Sequence, residues 1–357
     1  MRTLASQPHR LGPNQVPLYY EGGERINRFR GLGARPGPED WVGSVSAVRA
    51  SILPAGADPT TGISRLEDGT NLREAILADG AGWLGPDLAA AFDGEPGLLV
   101  KLLDAGGRLP VHCHPTRALA REKLGSRFGK TEGWVIMEAD PGATIWLGFN
   151  RDVEAAELRD WVDRQDVEAM FAAMNQMDVR AGDVYYVPAG VPHSIGAGIM
   201  LAELQEPTSF SICAEYAAYG LDAAQATLSL GWDDGLACFD RGAYTGKRLE
   251  LLRPQPEAVS VAGEAELWRL FPAEAGPFFQ AFRARVTGSS ALGVPRFRII
   301  VIEYGEGSLL VDSATVPVHA GETWLIPHGA GQLLADGNFE MLICDPPQVA
   351  QTVEVAA

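Results

Sequence analysis

Residues 179–193 read VRAGDVYYVPAGVPH, and residues 318–332 read VHAGETWLIPHGAGQ. The two segments align without a gap, so the second repeats the first. In each, a turn is followed by a strand rich in apolar residues and then by Pro-x-Gly, a pattern typical of a β-roll. His193 ends the first copy, whereas Gln332 stands at the same place in the second. The repeat therefore predicts two related β-barrels, of which only the first keeps, at this position, the residue type that binds metals.

The chain has 357 residues, enough for two domains with separate cores. We predict a first domain over residues 1–250, which contains N-terminal strands and loops and a helical insertion at about 156–177, where apolar residues recur at helical spacing. The Pro-containing segment 253–258 is the predicted linker. Residues 258–350 then form a second, metal-free jelly roll. The fold class is thus mainly β.

Shorter patterns predict the other elements of the first domain. Apolar runs indicate strands at 98–103, 135–137, 145–149, 200–206 and 210–216. Helices are expected near 71–92 and 221–240.

The composition limits the possible partners. The net charge of −17 excludes nucleic acid and anionic membranes as partners, because both require a basic surface. A phosphorylated small substrate remains compatible, since a local cationic pocket can lie in an acidic protein. The N-terminus lacks the apolar region of a signal peptide, and the four cysteines form no CxxC pair. We therefore expect a cytoplasmic protein with reduced thiols. Both barrels can bury their sheets within one chain, so no oligomer is implied.

Four residues of the first domain form a candidate metal site. His112 and His114 lie in LPVHCHP, and residues two apart on a strand point to the same face. Glu132 and His193 follow later in the chain. Three imidazoles and one carboxylate suit Zn, Fe, Mn or Ni, and the ligand types alone do not choose among these metals.

Each of these residues also has a purely structural interpretation. A single histidine at a strand end is usually a hydrogen-bonded polar residue, and an HxH pair alone is weak evidence. The combination of HxH, a glutamate and PxGxxH on a β-roll pattern is much more specific. In the second barrel, His319 and His328 occupy other positions and are interpreted as surface or loop residues.

Taken together, these motifs resemble the type I phosphomannose isomerase family, a branch of the cupins. The matching segments follow one another in the family's order: 38–44 (weakly), 98–115, 129–134, 141–149 and 182–206. The resemblance implies a double cupin with a helical insertion, a zinc ion in the first barrel, and aldose–ketose isomerisation of a sugar. By position, it implies that the metal ligands are His112, His114, Glu132 and His193.

The chain departs from the family pattern at three positions. His112 stands where the family usually has Gln, and Pro110 stands where Ser is common. Cys213 stands where the family has an active-site Arg. A thiol cannot replace a guanidinium, which binds oxyanions in a fork and keeps its charge. Cys213 is therefore a substrate-binding candidate whose identity leaves open whether the sugar is phosphorylated.

Isomerisation through an enediol needs acid–base groups near C1 and C2 of the sugar. Lys130, two residues before Glu132, and Glu203, which matches a family glutamate, are the candidate catalytic pair. Their structural alternatives are an ion pair of Lys130 with a carboxylate, and a role of Glu203 as a rim residue or partner of Lys101. Lys101 is a candidate substrate-binding cation.

Two other cations, Arg117 and Arg121, lie on PTRALAREK, which is typical of a short solvated helix rather than of an anion site.

Three functions fit these residues. The first is a metal-dependent isomerase acting on mannose 6-phosphate, fructose 6-phosphate or a related, unphosphorylated sugar. The second is a cupin oxygenase that uses the same three-His, one-Glu site. The third is a non-catalytic sugar-binding cupin. The long match to the isomerases favours the first.

Overall fold

The computed structural model describes residues 3–53 and 56–349. Its regular structure is mainly strand. The strands are β1 (His9–Leu11), β2 (Gln15–Val16), β3 (Glu39–Val42), β4 (Leu99–Ala105), β5 (His112–Cys113), β6 (Glu132–Ala139), β7 (Thr144–Phe149), β8 (Met174–Asp178), β9 (Val184–Val187), β10 (His193–Ile195), β11 (Ile199–Gln205), β12 (Ile212–Cys213), β13 (Glu257–Val259), β14 (Ala262–Arg269), β15 (Gln280–Ala291), β16 (Arg298–Val311), β17 (Ala314–His319), β18 (Thr323–Ile326) and β19 (Leu334–Asp345).

The helices are short and lie mostly in the first half of the fold. They are α1 (Glu24–Phe29), α2 (Leu72–Ala78), α3 (Gly80–Leu84), α4 (Pro86–Ala91), α5 (Arg117–Lys123), α6 (Ala155–Arg164), α7 (Val167–Ala172), α8 (Ala223–Ala226), α9 (Trp232–Ala237) and α10 (Lys247–Leu252). Within the described residues, no helix has the length and apolarity needed to cross a membrane.

The strands form three antiparallel sheets. Two of them make the first barrel, with strand orders β2-β3-β4-β11-β6-β9 and β12-β5-β10-β7-β8. The third sheet, in the order β1-β18-β16-β19-β15-β14-β13 with β17 beside β16, makes the second barrel. β1 pairs with β18, so residues 9–11 join the sheet of the second barrel, although the boundary predicted from the sequence places them in the first domain.

The two copies of the repeat have the same fold up to their proline. Gly182 and Gly321 both adopt positive φ, 95° and 85°, in the turn before a strand, a conformation that a side chain would strain. The strands that follow, β9 and β18, are fully buried. Beyond the proline the copies differ: the first continues into β10, which carries His193, and the second into a 3₁₀ turn, His328–Ala330. At the position of His193, a metal-binding residue type is thus present only in the copy whose chain returns as a strand.

One hydrophobic cluster packs the two barrels against each other, and each barrel also has a buried cluster of its own. A single buried cluster joins residues of the first barrel, such as Val135 and Leu204, to residues of the second, such as Phe279 and Ile299. Gly133 on β6 permits this contact, since a Cβ there would come within 2.5 Å of the Phe271 ring. The second barrel therefore supports the sheet that carries the site.

Several predicted elements have different extents in the structure. The predicted insertion at 156–177 is helical only through α6 and α7, and its end is β8, which pairs with β7. The segment MNQMD has Met174 and Met177 buried against the barrel, so burial there overrides the helical spacing. The predicted strand at 210–216 is reduced to β12. The predicted helix at 221–240 is interrupted between α8 and α9, where Leu228 and Ser229 have positive φ.

Candidate metal centre and adjoining cleft

The pairing of short strands brings the three histidines together. β10 pairs with β5 so that His193 lies directly opposite His112, and His114 follows β5 on the same side. Their ring centroids are 4.1 Å apart for His112 and His193, 5.0 Å for His112 and His114, and 4.8 Å for His114 and His193. All three are buried, and one ring nitrogen from each lies within 4.8 Å of the others. Three imidazoles therefore converge on one point.

Backbone carbonyls fix the tautomer of each ring. Nδ1 of His112 lies 2.9 Å from the Pro110 oxygen, Nδ1 of His114 lies 2.7 Å from the Phe210 oxygen, and Nδ1 of His193 lies 2.9 Å from the Val191 oxygen. Because a carbonyl only accepts, Nδ1 must carry the proton in each case. Nε2 is then a lone-pair donor, which is the form that binds a metal ion.

Glu132 adjoins the three histidines from the neighbouring sheet. Its Oε2 lies 3.0 Å from His114 Nε2, and its Oε1 lies 3.4 Å from His193 Nε2. These Nε2 atoms and Oε2 of Glu132 are buried without a hydrogen-bond partner. With Nδ1 protonated, two lone pairs would face a carboxylate and repel it. A cation among them removes this conflict, so the residues fit a bound metal ion.

The protonation states of the centre also suit a metal. Burial lowers the pKa of His112 well below its ordinary value, lowers that of His114 to about 3, and lowers that of His193. Burial alone would raise the pKa of Glu132, but Lys130 and His114 hold it well below its ordinary value. Three neutral imidazoles and an ionised carboxylate are the forms that coordinate metals.

Beside the metal centre, a buried cleft contains a pair of opposite charges. Lys101 on β4 and Glu203 on β11 are directly paired across the strands, and Lys101 Nζ lies 3.0 Å from Glu203 Oε1. Lys101 also lies 3.2 Å from Oε2 of Glu39. Burial would lower the pKa of Lys101, but Glu203 and Glu39 hold it above its ordinary value. Burial raises the pKa of Glu203, and Lys101 only partly opposes this effect.

Lys130 and Cys213 line the same cleft as these groups. Lys130 Nζ lies 3.2 Å from Glu132 Oε2, which places this ammonium at the edge of the metal centre. Cys213 lies on β12, directly opposite His112 on β5. Burial raises the pKa of the Cys213 thiol to about 12, although Tyr19 lowers it through a side-chain hydrogen bond. The thiol is thus uncharged at the position where the resembling family has Arg.

Every candidate residue lies at this site, apart from the two arginines of α5. Arg117 instead binds Glu206 and the carbonyl oxygen of Pro277, which agrees with its structural interpretation. Lys130 and Glu203 both make the ion pairs given as their alternatives, yet both also line the cleft.

Sequence reasoning missed several residues of the cleft. Glu39 accepts hydrogen bonds from Tyr20 and Trp41, each 2.7 Å long, and so holds Lys101 from the side opposite Glu203. The sequence PEDW could have indicated Glu39, since Glu39 and Trp41 are two apart and point to the same face of a strand. This segment resembles the family only weakly, so it was not used. Arg49 also lines the cleft, and it was missed because it belongs to no motif.

The fold and the site define a two-barrel protein of the cupin class with a histidine-rich candidate metal centre in its first barrel. No family model matches the chain. Among curated proteins, it is 27% identical over 248 residues to a mannose-6-phosphate isomerase of Streptococcus mutans, covering 69% of this chain and 72% of that protein. It is likewise 27% identical over 251 residues to the mannose-6-phosphate isomerase ManA of Bacillus subtilis, covering 69% and 74%.

Solved structures agree on the fold. The crystal structure of mannose 6-phosphate isomerase from Bacillus subtilis superposes with a TM-score of 0.73 at 20% identity, over 94% of this chain and 99% of that one. A mannose 6-phosphate isomerase bound with zinc and yttrium superposes with a TM-score of 0.68 at 14% identity, over 96% and 100%. The relatives and the fold both support the resemblance to the type I phosphomannose isomerase family that the motifs indicated.

Proposed function

We propose that the protein is a metal-dependent aldose–ketose isomerase that interconverts mannose 6-phosphate and fructose 6-phosphate. One observation carries the proposal: the three-histidine centre adjoins a cleft that Lys130 and the Lys101–Glu203 pair also line. The relatives named above are mannose-6-phosphate isomerases, and we therefore propose the same substrate for this protein.

His112, His114, Glu132 and His193 would hold the metal. Zinc is the metal we propose, because a structural neighbour binds it and because three nitrogens and one oxygen suit it; the same ligand types also accept iron, manganese or nickel. When bound, the ion polarises the substrate carbonyl and stabilises the negative charge of the enediol intermediate.

Glu203 is the proposed base at carbon. Its carboxylate takes the proton from C2 of the aldose and returns it to C1. C2 is thereby oxidised and C1 reduced within one molecule, so no external oxidant or reductant is needed. A carboxylate whose pKa is raised by burial binds this proton more strongly than an exposed one, so the transfer is easier. Lys101, 3.0 Å away, stabilises the ionised form of Glu203 before the first transfer and after the second.

Lys130 is the proposed acid–base group at oxygen. Its Nζ lies beside Glu132, on the metal side of the cleft, where the substrate's O1 and O2 would be held. An ammonium there can donate a proton to O1 as the carbonyl becomes a hydroxyl, and can recover one from O2 as the ketone forms.

Proton NMR in D2O tests the function on metal-loaded protein. The panel contains mannose 6-phosphate, fructose 6-phosphate, mannose, fructose and other free aldoses, and metal content is measured on the same sample. We expect product from the two sugar phosphates, with deuterium entering at C1 or C2. Conversion of free sugars alone would show that the phosphate is not part of the substrate.

Two other results would replace the proposal. Sugar binding with no exchange of the C1 or C2 proton, in a metal-loaded sample, would indicate a binding protein. Bound iron with oxygen consumption on addition of substrate would indicate an oxygenase.

A further inference from the structure

The cleft has a buried floor and a partly exposed rim. The floor contains three of the four metal-centre residues together with Lys101, Lys130 and Glu203, all buried. The rim contains partly exposed side chains, and its polar members are Tyr19, Arg49, Ser209, Ser211 and Gln225. A sugar phosphate reacts at C1 and C2 and carries its phosphate on C6, at the other end. A substrate whose reacting carbons lie on the floor therefore directs its phosphate to the rim.

Three cations line this cleft, and they differ in their partners. Lys101 is paired with Glu39 and Glu203, and Lys130 is paired with Glu132. Among residues 3–53 and 56–349, no acidic side chain forms an ion pair with Arg49. Burial lowers the pKa of Arg49, and no carboxylate offsets this effect. A half-buried guanidinium without a counter-ion is the group in the cleft best suited to receive an anion from outside.

We infer that Arg49 binds the phosphate of the substrate and thereby supplies the cation that Cys213 cannot. The inference rests on the proposed function, since it concerns the same cleft and names the residue that selects a phosphorylated sugar. The guanidinium fork matches phosphate geometry, and the hydroxyls of Ser209 and Ser211 line the same rim as additional donors.

The backbone around Arg49 is anchored, which favours a defined binding geometry. Arg49 precedes the 3₁₀ turn Ala50–Ile52. Nε2 of Gln225 donates to the Ser51 oxygen at 3.1 Å, while its Oε1 accepts from the backbone N–H of Asp222 at 2.9 Å. Gln225 thus joins the backbone beside Arg49 to α8, so the segment that carries the guanidinium is held in place at the rim.

Three variants separate charge, geometry and nonspecific effects. Arg49→Gln removes the charge, and Arg49→Lys keeps the charge without the fork. The matched control is Arg159→Gln, which removes an arginine from the exposed face of α6, where it pairs with Asp163. All three are first checked for native melting temperature and metal content.

The kinetic arm uses mannose 6-phosphate. Because a charge-assisted contact to phosphate is lost, Arg49→Gln should raise KM by about 10- to 100-fold and leave kcat within about threefold of the wild type. The KM of Arg49→Lys should lie between those of the wild type and Arg49→Gln, and the KM of Arg159→Gln should equal that of the wild type. An unchanged KM in Arg49→Gln, with the wild type active, would overturn the assignment while leaving the isomerase function intact.

The binding arm does not depend on turnover. Calorimetry compares mannitol 1-phosphate, which carries the phosphate but no carbonyl, with mannitol. We expect the wild type to prefer the phosphorylated polyol by about tenfold or more, and Arg49→Gln to lose that preference. If the wild type shows the preference and the variant loses it while neither isomerises sugars, the Arg49 site stands and the isomerase function fails. A wild type without any preference, or a variant that keeps it, overturns the site.

Discussion

His112 and His193 lie directly opposite each other on the antiparallel strands β5 and β10, with their ring centroids 4.1 Å apart. They are distant in the chain, and only the pairing of two short strands joins them. Each donates its Nδ1 proton to a carbonyl two residues earlier, Pro110 for His112 and Val191 for His193. Both rings are therefore turned by the local backbone so that Nε2 is free to bind a metal.

Replacing His193 by Gln should abolish metal binding, whereas replacing His112 by Gln should weaken it. His193→Gln reproduces the residue found in the second copy of the repeat, Gln332. His112→Gln introduces the residue that the resembling family usually has. The loss in His193→Gln should exceed the ~10–100-fold loss of affinity that removal of an outer-shell partner causes. Metal content after gel filtration measures both. If both variants retained as much metal as the wild type, the assigned ligand set would be contradicted.

Removing the metal should destabilise the fold. In the metal-free protein, Nε2 of His114 and His193 face the Glu132 carboxylate with no proton between them. A ligand that binds only the folded state stabilises it by about 4 kcal/mol at a free concentration 1,000 times its Kd. Dialysis against a chelator should thus lower the melting temperature by several degrees, and added zinc should restore it. An unchanged melting curve after verified metal loss would contradict this expectation.

Glu203→Gln should remove catalysis while keeping the metal. Glu203 is buried against Lys101 and contacts no metal ligand through an ion pair in the described structure. A neutral amide cannot take the proton from C2, and kcat should fall by about 10²–10⁴-fold.

Single-turnover proton exchange in D2O checks the role of Glu203. The variant should bind mannitol 1-phosphate like the wild type while exchange at C2 disappears. Retained exchange would transfer the role of carbon base to another residue, and Lys130 would be the first to test.

The thiols should be unreactive in the native protein. All four cysteines are buried and unpaired in the described residues. Burial raises the pKa of Cys213 and that of Cys238 to about 12, and raises those of Cys113 and Cys344 well above the ordinary value. The thiolate is the reacting form, and its fraction at pH 8 is negligible for such groups.

Iodoacetamide at pH 8, followed by mass spectrometry, should label the native protein slowly and the denatured protein at all four cysteines. In parallel, Cys213→Ser should keep kcat within about twofold, since the neutral thiol carries no charge into the cleft. Rapid labelling of Cys213 in the native protein would contradict the prediction, because it would require a thiol with a lower pKa than that of a buried one.

Features that depend only on neighbouring residues, such as strands and glycine turns, were predicted well from the sequence. The ligand types, their order and their strand context are local properties, because a strand sends alternate residues to one face and a turn needs glycine at a fixed place. This is why the HCH motif at 112–114 and the repeated turn and strand are recognisable in the sequence itself. The family resemblance then linked these parts into one fold.

Element ends and long-range pairs were predicted less well. The 174–178 segment has helical spacing but becomes β8, because the buried methionines pack into the barrel beside β7. Its final conformation depends on a neighbouring strand, which no window of sequence contains. The same reason explains why Glu39 was not recognised: its role depends on Lys101, from a different strand.

The sequence by itself determined which residues could bind a metal, that a second copy of the repeat lacks one of them, and that a thiol replaces the family's arginine. Only the tertiary structure decided which of the cleft's cations are paired with carboxylates and which is not. The reason is physical. The functional group of a residue is fixed by its covalent structure, whereas its ion pairs and its burial depend on other residues that folding brings within about 4 Å. Arg49 belongs to no motif, and we propose a role for it only because the fold places it at the rim of the cleft, where no carboxylate of the described residues pairs with it.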